Sequence, residues 1–295
     1  MSPDLSLMHQ PVSDLFPHMS VEEAWEAFHL SEEQVSFFNE NGYLSGIQIL
    51  DGRQIDQLRQ ELADIADPKH PQHELFYEFH SNESDDPNAV LFHSLGHWRI
   101  TPGFHDVLWN PRFVVPAYQL LGEKAVRFWH DQLFCKPAHH GGVVAWHQDY
   151  SYWTRTIPQR HLTCWVGLDP ASKANGCLHY IPGSHRWPLF DRTSLAGAMN
   201  GLDTFLSEEQ KQEFAKQVAI EMPAGYGTFH HPLMVHGSYE NHSPIARRAL
   251  VINVFADGTQ SNSDEELLAG VPPIPKGHRM EGQFFPLLFN PGQIL

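Results

Sequence analysis

The triplet His147-Gln148-Asp149 sets an imidazole and a carboxylate two residues apart. In an extended strand residues i and i+2 share a face, so both side chains can reach one ion while Gln148 points away. A third donor must come from elsewhere, and His236, within Pro232-Leu233-Met234-Val235-His236-Gly237-Ser238, is the candidate. Two imidazoles and one carboxylate on one side of a metal leave positions open on the other, an arrangement suited to Fe(II) chemistry with O2. Zinc takes similar donors in hydrolytic sites, so the donor set alone does not choose the metal. In a chain with 21 histidines an H-x-D triplet arises readily by chance, and the bland reading of His236 is a polar turn residue ahead of Gly237-Ser238.

The elements that must position these groups are readable in outline. Residues 1–20 look like an irregular arm broken by Pro3, Pro11 and Pro17. Ser20 and Ser31, each followed by acidic residues, read as capped helix starts, the second helix stopping near Asn41-Gly42. Ile55, Leu58, Leu62 and Ile65 fall at helical spacing within 51–66, and 104–122 looks helical again. Residues 68–88, rich in His, Pro, Asp, Ser and Asn, form a loop and a candidate lid. From about Ala125 short β-prone runs appear (AVRFWHDQLFC, VVAWHQDY, LTCWVGL, GCLHYIP, YGTFHHPLMVHGS, RALVINVF), separated by turn signals. The expected fold is mainly β with flanking helices, a jelly roll. One domain is expected over 1–295: a mostly helical part with the lid loop (1–124), a jelly-roll catalytic core (125–256) and a C-terminal extension (257–295).

Acidic residues outnumber Lys and Arg by 35 to 19, a formal charge of −16. That argues against nonspecific binding to nucleic acid or anionic membrane. Three cysteines without tight spacing suggest neither a disulfide framework nor a zinc ribbon. No signal peptide and no membrane span are apparent, so a cytoplasmic protein acting on a small molecule is expected.

Three segments carry a resemblance to a known family: KPAHHGGVVAWHQDYSYW (136–153), CWVGLDPASKANGCLHYIPGSHR (164–186) and FHHPLMVHGSYENHSPIARRAL (229–250). In order and spacing they resemble the phytanoyl-CoA dioxygenase family of Fe(II)/2-oxoglutarate oxygenases, over roughly residues 125–256. The resemblance implies a double-stranded β-helix with His147, Asp149 and His236 as iron ligands. It also implies 2-oxoglutarate as co-substrate, with O2 as the oxidant. Related halogenases carry a small residue where Asp149 stands, so halogenation is disfavoured.

The far carboxylate of 2-oxoglutarate needs a cation, and Arg supplies a two-pronged fork. In the run Arg247-Arg248-Ala249-Leu250-Val251-Ile252-Asn253-Val254-Phe255 both faces are apolar enough to be inside, so alternation leaves Arg247 and Arg248 open. The family places its Arg eleven residues after the distal His (236 to 247), which selects Arg247. The resemblance also implies Ser238 at the same carboxylate, Trp165 beside the co-substrate and Gln132 touching it. For Trp165 a plain core aromatic is the competing reading, and for Gln132 a solvent-facing strand residue. His139, His140, His230 and His231 are not read as ligands, though His230 and His231 are candidates for orienting one. A zinc hydrolase and a non-catalytic binding protein on the same fold are the alternative functions.

Tyr150, Tyr152 and Trp153 follow the H-x-D strand, in a region that faces the active site in related ectoine hydroxylases, so they are the candidate substrate wall. Aromatic walls suit apolar or cationic groups. Residues 68–88 hold one Lys, no Arg and five acidic residues, a poor match for CoA phosphates. The expected substrate is a small or medium-sized, neutral or cationic, partly apolar molecule. Convergence of Arg155, Arg160, Arg186 and Lys173 on the mouth would argue the other way.

Overall fold

Ser20, Ser31 and Asp51 each close a reciprocal capping box, with Glu23, Gln34 and Gln54, and start α1 (Val21–Phe28), α2 (Glu32–Asn41) and α3 (Gly52–Ile65). The structure, a computed structural model, describes residues 3–84 and 86–292. Helix α2 stops at Gly42, whose φ of +81° is open to glycine without strain. Helix α3 buries Ile55, Leu58, Leu62 and Ile65, as the spacing predicts. The expected helical stretch 104–122 is instead two helices, α4 (Pro102–Asp106) and α5 (Pro111–Leu120), joined by a 3-10 turn. Asn110 caps α5 and Pro111 occupies its first turn, where a missing N–H costs nothing. A further helix, α6 (Glu208–Phe214), starts at a Ser207/Gln210 box that the sequence reading passed over.

The strands are β1 (Tyr43–Gln48), β2 (Glu78–His80), β3 (Phe92–Leu95), β4 (Val126–Lys136), β5 (Val144–His147), β6 (Thr156–Ile157), β7 (His161–Gly167), β8 (Leu178–Tyr180), β9 (Val218–Ile220), β10 (Tyr226–His230), β11 (His236–Ser238), β12 (Arg247–Ala256), β13 (Gln260–Ser261) and β14 (Leu287–Phe289). The larger sheet runs β1-β10-β7-β12-β4-β3-β2, with β14 also on β4; the smaller runs β5-β11-β8-β9. All of these pairings are antiparallel. The jelly roll expected from 125–256 is there, but its larger sheet takes β1, β2, β3 and β14 from outside that range. These strands are too short, or too interrupted by polar residues, to stand out before their partners are known.

Helices α1 to α5 pack on the larger sheet, sharing one core with Phe128, Cys164, Phe229 and Ile252, while α6 lies apart, with Phe214 against Trp146 of β5. The N-terminal arm is tied down by ion pairing of Asp4 with Arg99. Val12 and Ser13 add hydrogen bonds to the buried Asp106 carboxylate. No helix among the described residues is long and apolar enough to cross a membrane.

Candidate active site

Strand β5 ends at His147, and Asp149 opens a 3-10 turn (Asp149–Tyr152) instead of continuing the strand. Gln148 still has extended backbone, φ −115° and ψ 128°, so the alternation holds for the one step that matters. The Gln148 amide points away: Nε2 donates to the carbonyls of Pro188 (3.2 Å) and Leu233 (3.0 Å), and Oε1 accepts from Phe190 N–H (2.8 Å). His236 sits directly across from His147 in the β11·β5 register. Donor atoms of His147, Asp149 and His236, all buried, lie within 4.8 Å of one another.

Tautomers follow from backbone contacts. His147 Nδ1 faces the Ala145 carbonyl at 2.8 Å, and His236 Nδ1 faces that of Met234 at 2.9 Å. Each Nδ1 therefore carries the proton, and each Nε2 lone pair is free for a metal. Asp149 Oδ1 is 3.3 Å from His147 Nε2 and 3.6 Å from His236 Nε2. Burial, with His147 and His230 beside it, pushes His236 well below its ordinary pKa, as a neutral donor requires. Burial opposes ionisation of Asp149, but its close contacts with His236, His147 and His230 hold its pKa well below the usual carboxylate range. The donor set fits a metal such as Fe(II): two neutral imidazoles and one carboxylate, converging with open space beside them.

That space is a cavity of about 530 Å³ between the two sheets. Arg247 lies in its wall, fully buried. Its guanidinium lies over the Trp165 ring at 5.5 Å, and Nη2 donates to Ser238 Oγ at 3.3 Å. Its Nε has no hydrogen-bond partner among the described residues. Desolvation lowers its pKa to about 10, which leaves it a cation at neutral pH. Arg248 faces the other way, with Nε and Nη2 on the Asp169 carboxylate at 2.7 and 2.8 Å. Asp169 also takes Arg59 at 3.0 Å. A buried cation with an unfilled donor fits an anionic ligand such as a carboxylate. Lys136, across from Arg247 in the β4·β12 register, is a residue the sequence reading missed. It too is fully buried, and Nζ donates to Ser238 Oγ (2.6 Å) and to the Ser238 and Tyr239 carbonyls (3.2 and 2.5 Å). Burial and then the Arg247 charge press its pKa well down. A lone Lys before Pro137 carries no local mark of burial, so only the sheet pairing reveals it.

Gln132 lines the same wall, its Oε1 3.0 Å from His93 Nε2. Register puts Gln132, Val251 and Trp165 in one row across β4, β12 and β7. Tyr152 and Trp153 line the cavity. The Tyr152 ring meets His147 edge-on at 5.8 Å, and its hydroxyl donates to the Thr193 carbonyl at 2.5 Å. Tyr150 is not among the lining residues: its ring is buried and its hydroxyl donates to the Thr156 carbonyl at 2.6 Å. The 3-10 turn rotates it off the face it would hold in a strand. Of Arg155, Arg160, Arg186 and Lys173, only Arg155 lines the cavity, joined there by Arg192. The stretch 68–88 is not all loop as expected, since it holds a 3-10 turn (His73–Leu75) and β2, and it contributes Glu78 of β2 and Glu83 to the cavity lining; its Asp85 is outside the described residues.

Such a donor set, beside a buried guanidinium and between the sheets of a double-stranded β-helix, is the construction of a non-haem iron oxygenase. The chain belongs to the phytanoyl-CoA dioxygenase family, whose sequence profile, Phytanoyl-CoA dioxygenase (PhyH), matches residues 38–249. A phytanoyl-CoA dioxygenase of Arabidopsis thaliana is 28% identical over 277 residues, covering 83% of this chain and 96% of its own. A probable alpha-ketoglutarate-dependent hypophosphite dioxygenase of Stutzerimonas stutzeri is 31% identical over 137 residues, 46% of this chain and 47% of its own. In fold, the chain resembles the carbocyclase SnoK of nogalamycin biosynthesis (TM-score 0.68, 20% identity, covering 88% of this chain and 97% of that one). It also resembles EctD from S. alaskensis with 2-oxoglutarate and 5-hydroxyectoine (TM-score 0.66, 20% identity, 95% and 93%). The protein is an Fe(II)- and 2-oxoglutarate-dependent dioxygenase. The zinc-hydrolase and binding-protein alternatives find no support.

Proposed function

We propose that His147, Asp149 and His236 hold the iron and that Arg247, Ser238 and Trp165 seat the far carboxylate of 2-oxoglutarate. On this reading the protein hydroxylates an unactivated C–H bond of a small or medium-sized metabolite in the cytoplasm. The observation that carries it is the buried Arg247 guanidinium, with an unfilled Nε, in the wall of the cavity that also holds the three donors. When bound, iron and 2-oxoglutarate supply O2 activation, with succinate and CO2 as the co-substrate's products. The protein's own groups do the rest. The Ala145 and Met234 carbonyls aim the two imidazoles, and Lys136 fixes the Ser238 hydroxyl beside Arg247. Trp165 covers one face of the guanidinium and keeps water from it. Gln132, held by His93, offers its amide to the co-substrate side of the cavity. Tyr152 and Trp153 form the wall against which a substrate C–H bond is positioned.

The mouth carries two carboxylates, Glu78 and Glu83, and two guanidiniums, Arg155 and Arg192. Such a mixed rim suits a polar or zwitterionic small molecule better than a polyanionic acyl-CoA. A metabolite screen reading succinate formation tests this directly. Phytanoyl-CoA and shorter acyl-CoAs should not stimulate turnover, and Trp153→Ala should impair the true substrate. Stoichiometric hydroxylation of an acyl-CoA would overturn the substrate class.

A further inference from the structure

A fourth imidazole stands against the three donors. His230, at the end of β10, has its ring centroid 4.3 Å from that of His236 and is equally buried. Distance alone would make it a ligand, but its hydrogen bonds say otherwise. His230 Nε2 is 3.0 Å from Asp149 Oδ2, an ionised oxygen that can only accept, so Nε2 carries the proton. Its Nδ1 lies 2.9 Å from the Tyr180 hydroxyl. Tyr180 is also 3.3 Å from Thr228 Oγ1, whose own proton goes to the Leu44 carbonyl at 3.0 Å. The Tyr180 hydroxyl thus has one proton for two acceptors, Thr228 Oγ1 and His230 Nδ1; the shorter contact, to His230, takes it, and the His230 tautomer is opposite to that of His147 and His236.

Asp149 Oδ2 has a second donor, the Thr163 hydroxyl at 2.6 Å. That hydroxyl has one proton and is also 3.0 Å from Asn253 Oδ1; the shorter contact to the charged oxygen takes it. Sheet register builds the arrangement. Thr163 pairs with His230 across β7·β10, and Tyr180 pairs with His236 across β8·β11. One carboxylate oxygen thus faces both free Nε2 atoms, while the other is held by two donors on the far side.

We propose that His230, set by Tyr180 and aided by Thr163, is a positioning residue that fixes Asp149 as a one-oxygen donor, with Oδ1 alone turned to the metal. The inference rests on the triad being the metal site. With Oδ2 held back, the carboxylate cannot chelate through both oxygens, and the open positions stay open for the co-substrate.

The test is a cobalt(II) titration of the full chain, with folding followed by circular dichroism. His230→Leu should bind cobalt roughly 10- to 100-fold more weakly than wild type, the usual range for losing such a partner, while remaining folded. His230→Gln, whose amide can still donate to Oδ2, should recover most of that loss, and Thr163→Val should show a smaller weakening. Folded His230→Leu protein with cobalt affinity within about twofold of wild type would overturn the clamp, even if its melting temperature fell. A Gln variant as weak as the Leu variant would also overturn it. If His230→Leu does not fold, Thr163→Val decides: wild-type affinity there contradicts the proposal. Wild-type protein that binds no cobalt, or that loses none on His236→Ala, would instead sink the triad reading and the clamp with it. Binding that depends on His236 but not on His230 sinks the clamp alone.

Discussion

Arg247 and Arg248 are chemically alike and adjacent, yet one is sealed in the cavity wall and the other is spent on Asp169. Their functions should separate cleanly. Arg247→Ala should raise the apparent KM for 2-oxoglutarate by the equivalent of about 2–5 kcal/mol, because a buried carboxylate would lose its charge partner. Arg248→Ala should leave that KM nearly unchanged and lower stability by about 2 kcal/mol, the scale of hydrogen bonds to a charged group, read as a fall in melting temperature. A larger KM effect from Arg248→Ala would show that the wrong arginine is assigned. Alternation along β12 could not separate the two, since Ala249, Val251 and Phe255 are as apolar as Leu250, Ile252 and Val254. What separates them is Asp169, 79 residues upstream and adjacent only once β7 lies beside β12. The H-x-D pair was legible because its geometry is local. His230 was legible only as a residue that orients a ligand, not as the partner of Asp149, and Lys136 was not legible at all, because Tyr180 and Ser238, which they contact, are distant in sequence.

At the scale of elements, the site depends on how closely β11 lies between β5 and β8. Gly237, between His236 and Ser238, shows why. A Cβ there would stand 2.9 Å from the Val144 carbonyl oxygen and 3.2 Å from Trp146 N, both backbone atoms that cannot step aside alone. Gly237→Ala should push β11 from β5 and draw His236 away from His147. The expected cost is about 1–3 kcal/mol of stability, the usual scale for overpacking, with weaker metal binding alongside. An Ala variant with wild-type melting temperature and metal affinity would contradict this account of the glycine. The starts of α1 and α2 were legible because a serine with acidic residues just after it acts within a turn, and α3 because its apolar residues recur at helical spacing, although the same signal at Ser207 was passed over. Strands β1 to β3 were not: β2 and β3 are only 3 and 4 residues long, and β1 and β3 pair with β10 and β4 further along the chain.

At the scale of the molecule, the N-terminal arm is a strap. Removing it through Phe16 would strip Asp106 of Val12 N–H, Ser13 N–H and the Ser13 hydroxyl, and Arg99 of Asp4. The shortened protein should melt several degrees lower with its metal affinity intact, since none of these groups lines the cavity; loss of metal binding at full folding would refute that separation. Acid should attack the same ties. Burial opposes ionisation of Asp4, Asp106 and Asp169, but Arg99, His105 with Ser13, and Arg248 respectively hold each below its ordinary 3.8. Their stabilisation is therefore complete above about pH 4 and is lost as pH falls through the lowered values. Melting temperature should be flat from these groups above pH 4 and drop below it; stability that rises on acidification would contradict the assignment. All of this framework serves one centre, and its most direct test is optical. Fe(II) and 2-oxoglutarate added anaerobically should give a weak visible charge-transfer band that saturates at one iron per chain in the wild type. The band should be absent from His147→Ala and His236→Ala, and in Arg247→Ala it should require far more 2-oxoglutarate. No band in the wild type, or an equal band in His236→Ala, would contradict the proposed centre.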